Sequence, residues 1–460
     1  MTDQPTTLLI LGASGDLTRR LLLPGLGSLL KVEPDREVRV LGADRNEMSP
    51  EDWADRVRES FVEAEAPQAS IDRVVGRTAY RRVDALDEDQ LRDLLGSVPG
   101  ALVIYFALPP HVTVEVCALL ERIGVPEGTR LAMEKPFGHD LASARELNEQ
   151  ATRVVPEEQI HRIDHFLGVN TVLNLLGLRF ANRIFQPLWS RAHIAKVEIE
   201  YDEDLALEGR AGYYDKAGAL IDMTQSHLLQ VLAMFAMESP ASMDPEEMRS
   251  LKANVLRAVR LWGDDPRTAS RRARYTAGSI GDRDVPDYVG EEGVDPALGT
   301  ETLAELVVEV RNQRWAGVPF VLRSGKALGV PHKEITVTFR EPAHIPDGLR
   351  DCGAPDQLIL ELRPGAVSLD VSVNAEGDPF DLEQARLHTA LGQPRMRPYG
   401  EVLAGILDGT PLLSIRGDAA ELMWKIVGPV LAAWRADEVP LEEYPAGSQG
   451  PEGWGTIPPR

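Results

Sequence analysis

The sequence predicts an α/β protein: a parallel, doubly wound domain over residues 1–168, then a β+α domain over 169–460 with a large, mainly antiparallel sheet. Three observations predict it. Strand-like apolar runs alternate with helical stretches for about 160 residues, the pattern of a parallel sheet with helices on both faces. Gly12 and Gly15 fall directly between the first strand and the first helix. Beyond Arg162, period-two segments follow one another without intervening helices, as in an antiparallel sheet with one solvated or interface-forming face. A chain of 460 residues is long enough for two such cores.

The elements follow in order. "TTLLILG" reads as a strand, "TRRLLLPGLGSLL" as a helix and "EVRVLGA" as a second strand. "SPEDWADRVRESF" is a helix with Ser49 as N-cap, Pro50 at the first helical position and Asp52 in the first turn. "RTAYRRV", the helix "DEDQLRDLLGSV", the strand "ALVIYFAL" and a helix from about His111 to Ile123 come next. The strand "RLAMEKP" and the helix "SARELNEQATRVV" close the alternating part. A helix through "NTVLNLLGLRFAN" then precedes the strands "KVEIEYDE", "EITVTFR", "LILELR" and "AVSLDVSV". The Gly/Asp/Arg-rich run from Trp262 to Asn312 reads as loop and short helix, and the tail after Tyr444 as irregular.

Composition narrows the function. Seventy-two acidic against 49 basic residues give a formal charge of -23, which disfavours nucleic acid as a partner but leaves room for a small anionic cofactor in a local pocket. Two cysteines, Cys117 and Cys352, stand far apart without a CxxC pattern, so neither a disulfide framework nor a zinc site is expected, and a reducing cytoplasm is. No metal site is expected elsewhere. The most apolar window, "ALVIYFALPPHV", is broken by Pro109, Pro110 and His111, and no membrane span is expected.

"LGASGDLTRR" places Gly12, Ser14, Gly15, Asp16 and Leu17 at the strand-to-helix turn. Glycines let a backbone approach a pyrophosphate, and the helix N-terminus offers free N–H groups. The pattern is G-x-x-G-D-L rather than G-x-G-x-x-G, so position carries the argument against a simple tight turn. At the end of the second strand, Asp44 would accept a ribose 2′-hydroxyl as in NAD binding, and Arg45 would pair with the 2′-phosphate of NADP. Both residues are present, and the coenzyme choice stays open.

Three clusters carry candidate catalytic groups. "MEKPFG" puts Lys135 at the end of a parallel strand. "RIDH" supplies Asp164 and His165. "YYDKAGALIDMTQSH" ends in His227, with Asp222 five residues earlier. Oxidation of an alcohol by hydride transfer needs a base for the hydroxyl proton, usually a histidine oriented by a carboxylate. A lone histidine is more often a satisfied core residue, and spacing alone does not show that these groups converge.

Taken together, "GASGDLTRR", "ALPP", "EKPFG", "RIDHFLG", "LRFANRIFQPLW", "EGRAGYYDKAGALIDMTQSHLLQ", "VPFVLRSGKAL" and "YPAGSQGP" resemble the glucose-6-phosphate dehydrogenase family nearly end to end. The resemblance implies a Rossmann-like coenzyme domain, a β+α domain whose sheet forms a dimer interface, and oxidation of a hexopyranose at C1 to the lactone with NADP or NAD. It implies His227 as general base, Asp164 as its orienting carboxylate, and Lys135 with Pro136 contacting substrate and nicotinamide. Pro109 falls in the matching coenzyme segment. Glu203, Asp222 and Lys326 match substrate-contacting residues, and His165 matches a histidine on the substrate phosphate. A homodimer or homotetramer is expected.

The sequence departs from the family around that phosphate. The family pattern R-I-D-H-Y-L-G-K-E has Phe166, Val169 and Asn170 in place of its tyrosine, lysine and glutamate, and a family lysine in the first helix is Leu21. His332 stands where the family commonly has a basic residue, and Lys333 follows it. Losing two donors to a charged group costs about 3–6 kcal/mol. The expectation is therefore C1 oxidation of a hexose without the 6-phosphate, or with another C6 group. The alternatives are a true glucose-6-phosphate dehydrogenase with a rebuilt phosphate pocket, and a catalytically silent sugar- or coenzyme-binding protein.

Overall fold

The computed structural model describes residues 5–209, 211–350 and 353–458. Its backbone forms two compact units. The first comprises Met1–Asn170, Pro240–Ala253 and Pro394–Trp424; the second comprises Thr171–Ser239, Asn254–Gln393 and Lys425–Arg460. The first crossing at Asn170 lies two residues from the expected boundary. The chain then re-enters the first unit twice, which a contiguous division at 168 does not anticipate.

The first unit is built on β1 (Thr6–Leu11), β2 (Val38–Asp44), β3 (Ala79–Arg82), β4 (Leu102–Phe106), β5 (Arg130–Glu134) and β6 (Ile160–Ile163). They lie in the order β3-β2-β1-β4-β5-β6, all parallel. A two-residue strand, Ser414–Ile415, is added antiparallel to β6. Helices cover both faces of such a sheet, so the central strands read as continuous apolar runs, and β4 is buried at every position. The helix Pro50–Glu63 starts as its sequence predicts, with Ser49 Oγ accepting the Asp52 N–H at 3.0 Å. In the returning segment, Tyr399, Val402, Leu403 and Ile406 join Leu8, Leu23, Leu26 and Tyr105 in one core. The strand order reverses between β1 and β4, and ligands of open α/β sheets bind in the crevice at that point.

The second unit contains β7 (Ile194–Asp202), β8 (Val259–Leu261), β9 (Ser270–Thr276), the hairpin β10 (Gly278–Ile280) and β11 (Arg283–Val285), β12 (Leu303–Val310), β13 (Pro319–Gly325), β14 (Lys333–Phe339), β15 (Gln357–Leu362), β16 (Gly365–Asn374) and β17 (Leu382–Ala390). Its large sheet runs β17-β16-β15-β14-β7-β13-β12-β9, with Leu441–Pro445 beyond β9 and β8 paired to β12. Pairing is antiparallel except for β7 with β13 and β9 with Leu441–Pro445. The run from Trp262 to Asn312, expected as loop and short helix, instead holds two strands of this sheet. The eight residues of β12 are all buried, so they show no alternation, and β9 carries three arginines that resemble a loop composition. Among the described residues no helix is long and apolar enough to cross a membrane.

Candidate active site

In the first unit, the turn after β1 is shaped by close contacts. Gly12 has φ +87°, and a Cβ there would lie 2.2 Å from the Ala107 carbonyl oxygen, beyond the end of β4. Only glycine permits both that torsion and that approach. At Gly15 a Cβ would meet only the Gly12 carbonyl oxygen, at 3.2 Å, within 4 Å. The helical stretch over 16–32 begins immediately afterwards, with Asp16 exposed and Leu17 packed on the core. This glycine turn and helix N-terminus fit a pyrophosphate.

Asp44, at the end of β2, is turned onto this loop. Its Oδ2 accepts from Ser14 N–H at 3.1 Å and Ser14 Oγ at 2.8 Å, while its Oδ1 accepts from Asn46 N–H at 3.1 Å. Arg56 donates to the Ser14 carbonyl at 3.0 Å. Arg45 is exposed, and so is Pro109, which caps the helix Pro110–Ile123.

Lys135 and Pro136 follow the carboxyl end of β5. Glu134 beside them accepts hydrogen bonds from Tyr105 Oη and Tyr399 Oη. Burial pushes its carboxyl pKa up to about 7 against those bonds. Asp164 follows β6, is fully buried and accepts the Phe166 N–H at 2.9 Å, which holds the carboxylate at the head of a single helical turn. His165 stacks on Tyr399 with ring centres 5.5 Å apart, and Phe166 packs edge-on against it. Val169 is partly buried, and Leu21 is 44% exposed. Lys252 is also buried in this unit; burial pushes its ammonium pKa down to about 8, opposed by Asp164. Neither Lys252 nor Tyr399 falls in a motif that the sequence singles out.

In the second unit, His227 lies on a π-helical segment, Leu220–Leu228, a wide turn often found at functional sites. Thr224, Gln225, Ser226 and His227 are each at most 1% exposed, so a run of polar side chains is held inside. The segment follows a break at Gly218, φ +66°, where the buried Glu301 carboxylate accepts the Leu220 N–H at 3.0 Å. Glu203, just past β7, accepts from Lys326 Nζ at 2.6 Å, and that ammonium lies 5.1 Å from the Tyr214 ring centre. Burial, then the charge of Asp222, raises the Tyr214 phenol pKa. Glu203, Lys326 and Asp222 are thus gathered around Tyr214, which sequence reasoning did not single out.

His332 is not part of that group. It lies against Glu334, Nδ1 to Oε1 3.8 Å, and its pKa is raised by Glu334 and then by Glu200. Alternation along a strand turns its neighbour the other way: Lys333 pairs with Tyr201 in register, and its Nζ lies 5.3 Å from the Tyr201 ring centre. Cys117 is a buried free thiol, and Cys352 falls outside the described residues.

A doubly wound sheet with a pyrophosphate turn at its switch point, and a second unit that buries a histidine among polar groups, define a nicotinamide-dependent dehydrogenase of a small polar substrate. The glucose-6-phosphate dehydrogenase NAD binding domain matches residues 9–174, and the glucose-6-phosphate dehydrogenase C-terminal domain matches 176–457. The chain belongs to the glucose-6-phosphate dehydrogenase family, oxidoreductases that act on a sugar CH–OH group with NADP or NAD. It is 38% identical to a glucose-6-phosphate 1-dehydrogenase of Gluconobacter oxydans, covering 98% of this chain and 95% of that one. It is 36% identical to one of Rhizobium meliloti, covering 97% and 95%. Among solved structures, it matches the glucose-6-phosphate 1-dehydrogenase of Mycobacterium avium with a TM-score of 0.83 and 33% identity, over 97% and 96% of the two chains. A glucose-6-phosphate dehydrogenase in complex with its substrate glucose-6-phosphate gives a TM-score of 0.87 at 29% identity, over 98% and 96%.

Proposed function

We propose that this chain oxidises glucose 6-phosphate at C1 to the lactone, passing hydride to NAD or NADP. The observation that carries this reading is near end-to-end likeness, at 36–38% identity, to enzymes named for that substrate. It replaces the expectation of a sugar without the 6-phosphate, which rested on Phe166, Val169, Asn170 and Leu21. Four substitutions in one subsite weigh less than similarity over 98% of the chain. The alternative with a rebuilt phosphate pocket becomes the primary reading.

The bound coenzyme supplies the hydride acceptor. His227 takes the proton from the C1 hydroxyl as the hydride leaves, and Asp164 holds the imidazole in the tautomer that can accept it. Lys135 contacts the substrate and Pro136 positions the nicotinamide. Glu203 and Asp222 accept hydrogen bonds from sugar hydroxyls, with Lys326 donating, and His165 donates to the phosphate. We further propose a homodimer or homotetramer.

Steady-state kcat/KM for glucose 6-phosphate, glucose and other hexoses, each with NAD and NADP, tests the reading. A clear preference for glucose 6-phosphate is expected; equal or better use of an unphosphorylated hexose overturns it. His227→Asn should abolish turnover while coenzyme titration by calorimetry is unchanged.

A further inference from the structure

A sugar 6-phosphate brings a dianion, whereas the first unit offers Phe166, Val169 and Leu21 where the family resemblance implies donors. The second unit holds cations that its acids do not neutralise. Lys333 opens β14, lies over the Tyr201 ring and has no hydrogen-bonded or ion-paired acid among the described residues. Arg363 is exposed, directly follows β15 and likewise has no acidic partner among them. The register explains their proximity. Glu334 of β14 faces Glu361 of β15, so 333 lies opposite 362, and Arg363 comes immediately after at the same end of the sheet. Arg363 is also near enough to Tyr201 to counter part of the effect of burial on its phenol, and Glu203 acts on the same phenol.

One tyrosine therefore has Lys333, Arg363 and Glu203 around it, and Glu203 carries Lys326 at 2.6 Å. In a chain with 72 acids and 49 basic residues, neighbouring cations of this sheet are already committed: Arg323 to Asp202, Arg272 to Asp437, Arg386 to Asp370, Arg311 to Glu309. Two cations without acidic partners, on the tyrosine that Glu203 also faces, make a local positive field in an acidic chain.

We propose that Lys333 and Arg363 form the subsite that holds the substrate's 6-phosphate, replacing donors absent at Phe166 and Val169. The inference rests on the glucose 6-phosphate reading. Arginine presents a planar fork suited to two phosphate oxygens, and lysine adds a point charge, so the pair restores two charge-assisted donors. His332, on the opposite face of β14 with Glu334, takes no part.

Arg363→Gln and Lys333→Met are the test, compared with Lys333→Arg. Arg363 is exposed and Lys333→Met keeps an apolar stem on Tyr201, so melting temperatures within a few degrees of wild type are expected. Each variant should raise KM for glucose 6-phosphate about 10- to 100-fold, the size of one charged hydrogen bond, with kcat within about threefold. Inorganic phosphate, competitive against glucose 6-phosphate in the wild type, should lose most of its inhibition in both, and Lys333→Arg should retain it. Unchanged KM and phosphate inhibition in both variants overturns the inference while wild-type preference for glucose 6-phosphate stands. A wild type that does not distinguish glucose from glucose 6-phosphate overturns the functional reading and this inference together.

Discussion

Asp44 shows how one side chain's hydrogen bonds decide what adjacent letters leave open. "GADRN" offers an acid and an arginine, and periodicity does not say which one faces the coenzyme. In the structure the acid faces the glycine turn, pinned by Ser14 N–H, Ser14 Oγ and Asn46 N–H, so it is held in place against an incoming phosphate. Its remaining acceptor capacity suits a ribose hydroxyl, and a 2′-phosphate beside it would be repelled. NAD is therefore expected to bind more tightly than NADP, by about tenfold or more, the equivalent of about 1.4 kcal/mol. Asp44→Asn keeps an acceptor for Ser14 while removing the charge, and should shift the ratio of the two dissociation constants towards NADP. Calorimetric titration of both coenzymes measures it; equal wild-type constants, or a ratio unmoved by Asp44→Asn, would show that Arg45 decides the choice instead.

At the scale of elements, the informative feature is the break at Gly218 and the π-helical turn after it. The sequence "GRAGYYDKAGALIDMTQSH" places His227 on this segment, but a wide turn has no period of its own to detect. The geometry comes from Glu301, distant in sequence, whose buried carboxylate caps Leu220 and fills the space a side chain at 218 would need. An added Cβ would lie 2.3 Å from Glu301 Oε1, on a backbone already at φ +66°. Gly218→Ala should therefore cost about 2–4 kcal/mol of stability, combining torsional strain with displacement of a buried acid. Because Asp222 and His227 both follow the break, kcat should fall further than KM rises. Urea unfolding and steady-state kinetics check both parts; a variant of wild-type stability and kcat would mean that Glu301 relaxes and the π-helical turn does not depend on Gly218. The strands β9 and β12 were illegible for a related reason. Complete burial removes alternation from "LAELVVEV", and cross-sheet acid partners make "SRRARYT" possible as a strand.

Across the whole molecule, the legible part is what local periodicity and turn chemistry encode: the alternating first unit, the glycine turn, the Ser49 cap and the segments bearing Asp164 and His227. Long-range returns of the chain were not, because nothing in the local pattern of 394–424 says that Tyr399 packs into the core of the first unit. The outer edge of the large sheet is poised for association. β17 is exposed along almost its whole length and, among the described residues, pairs with one strand, β16, with Leu387 60% exposed and Phe380, just before the strand, 59% exposed. A long edge strand with large apolar side chains is a template for association, and monomeric proteins generally blunt it. A formal charge of -23 opposes contact between identical copies, so apolar burial has to offset that repulsion, and added salt should favour assembly by screening it. Light scattering at about 0.15 M salt, where the screening length is about 8 Å, should give a mass of two or four chains. Replacing Leu387 and Phe380 together by glutamate should dissociate it, more completely at low salt. A single-chain mass for the wild type at micromolar concentration would instead make this edge a free surface, and an assembled mass unmoved by the double substitution would place the interface elsewhere on the chain.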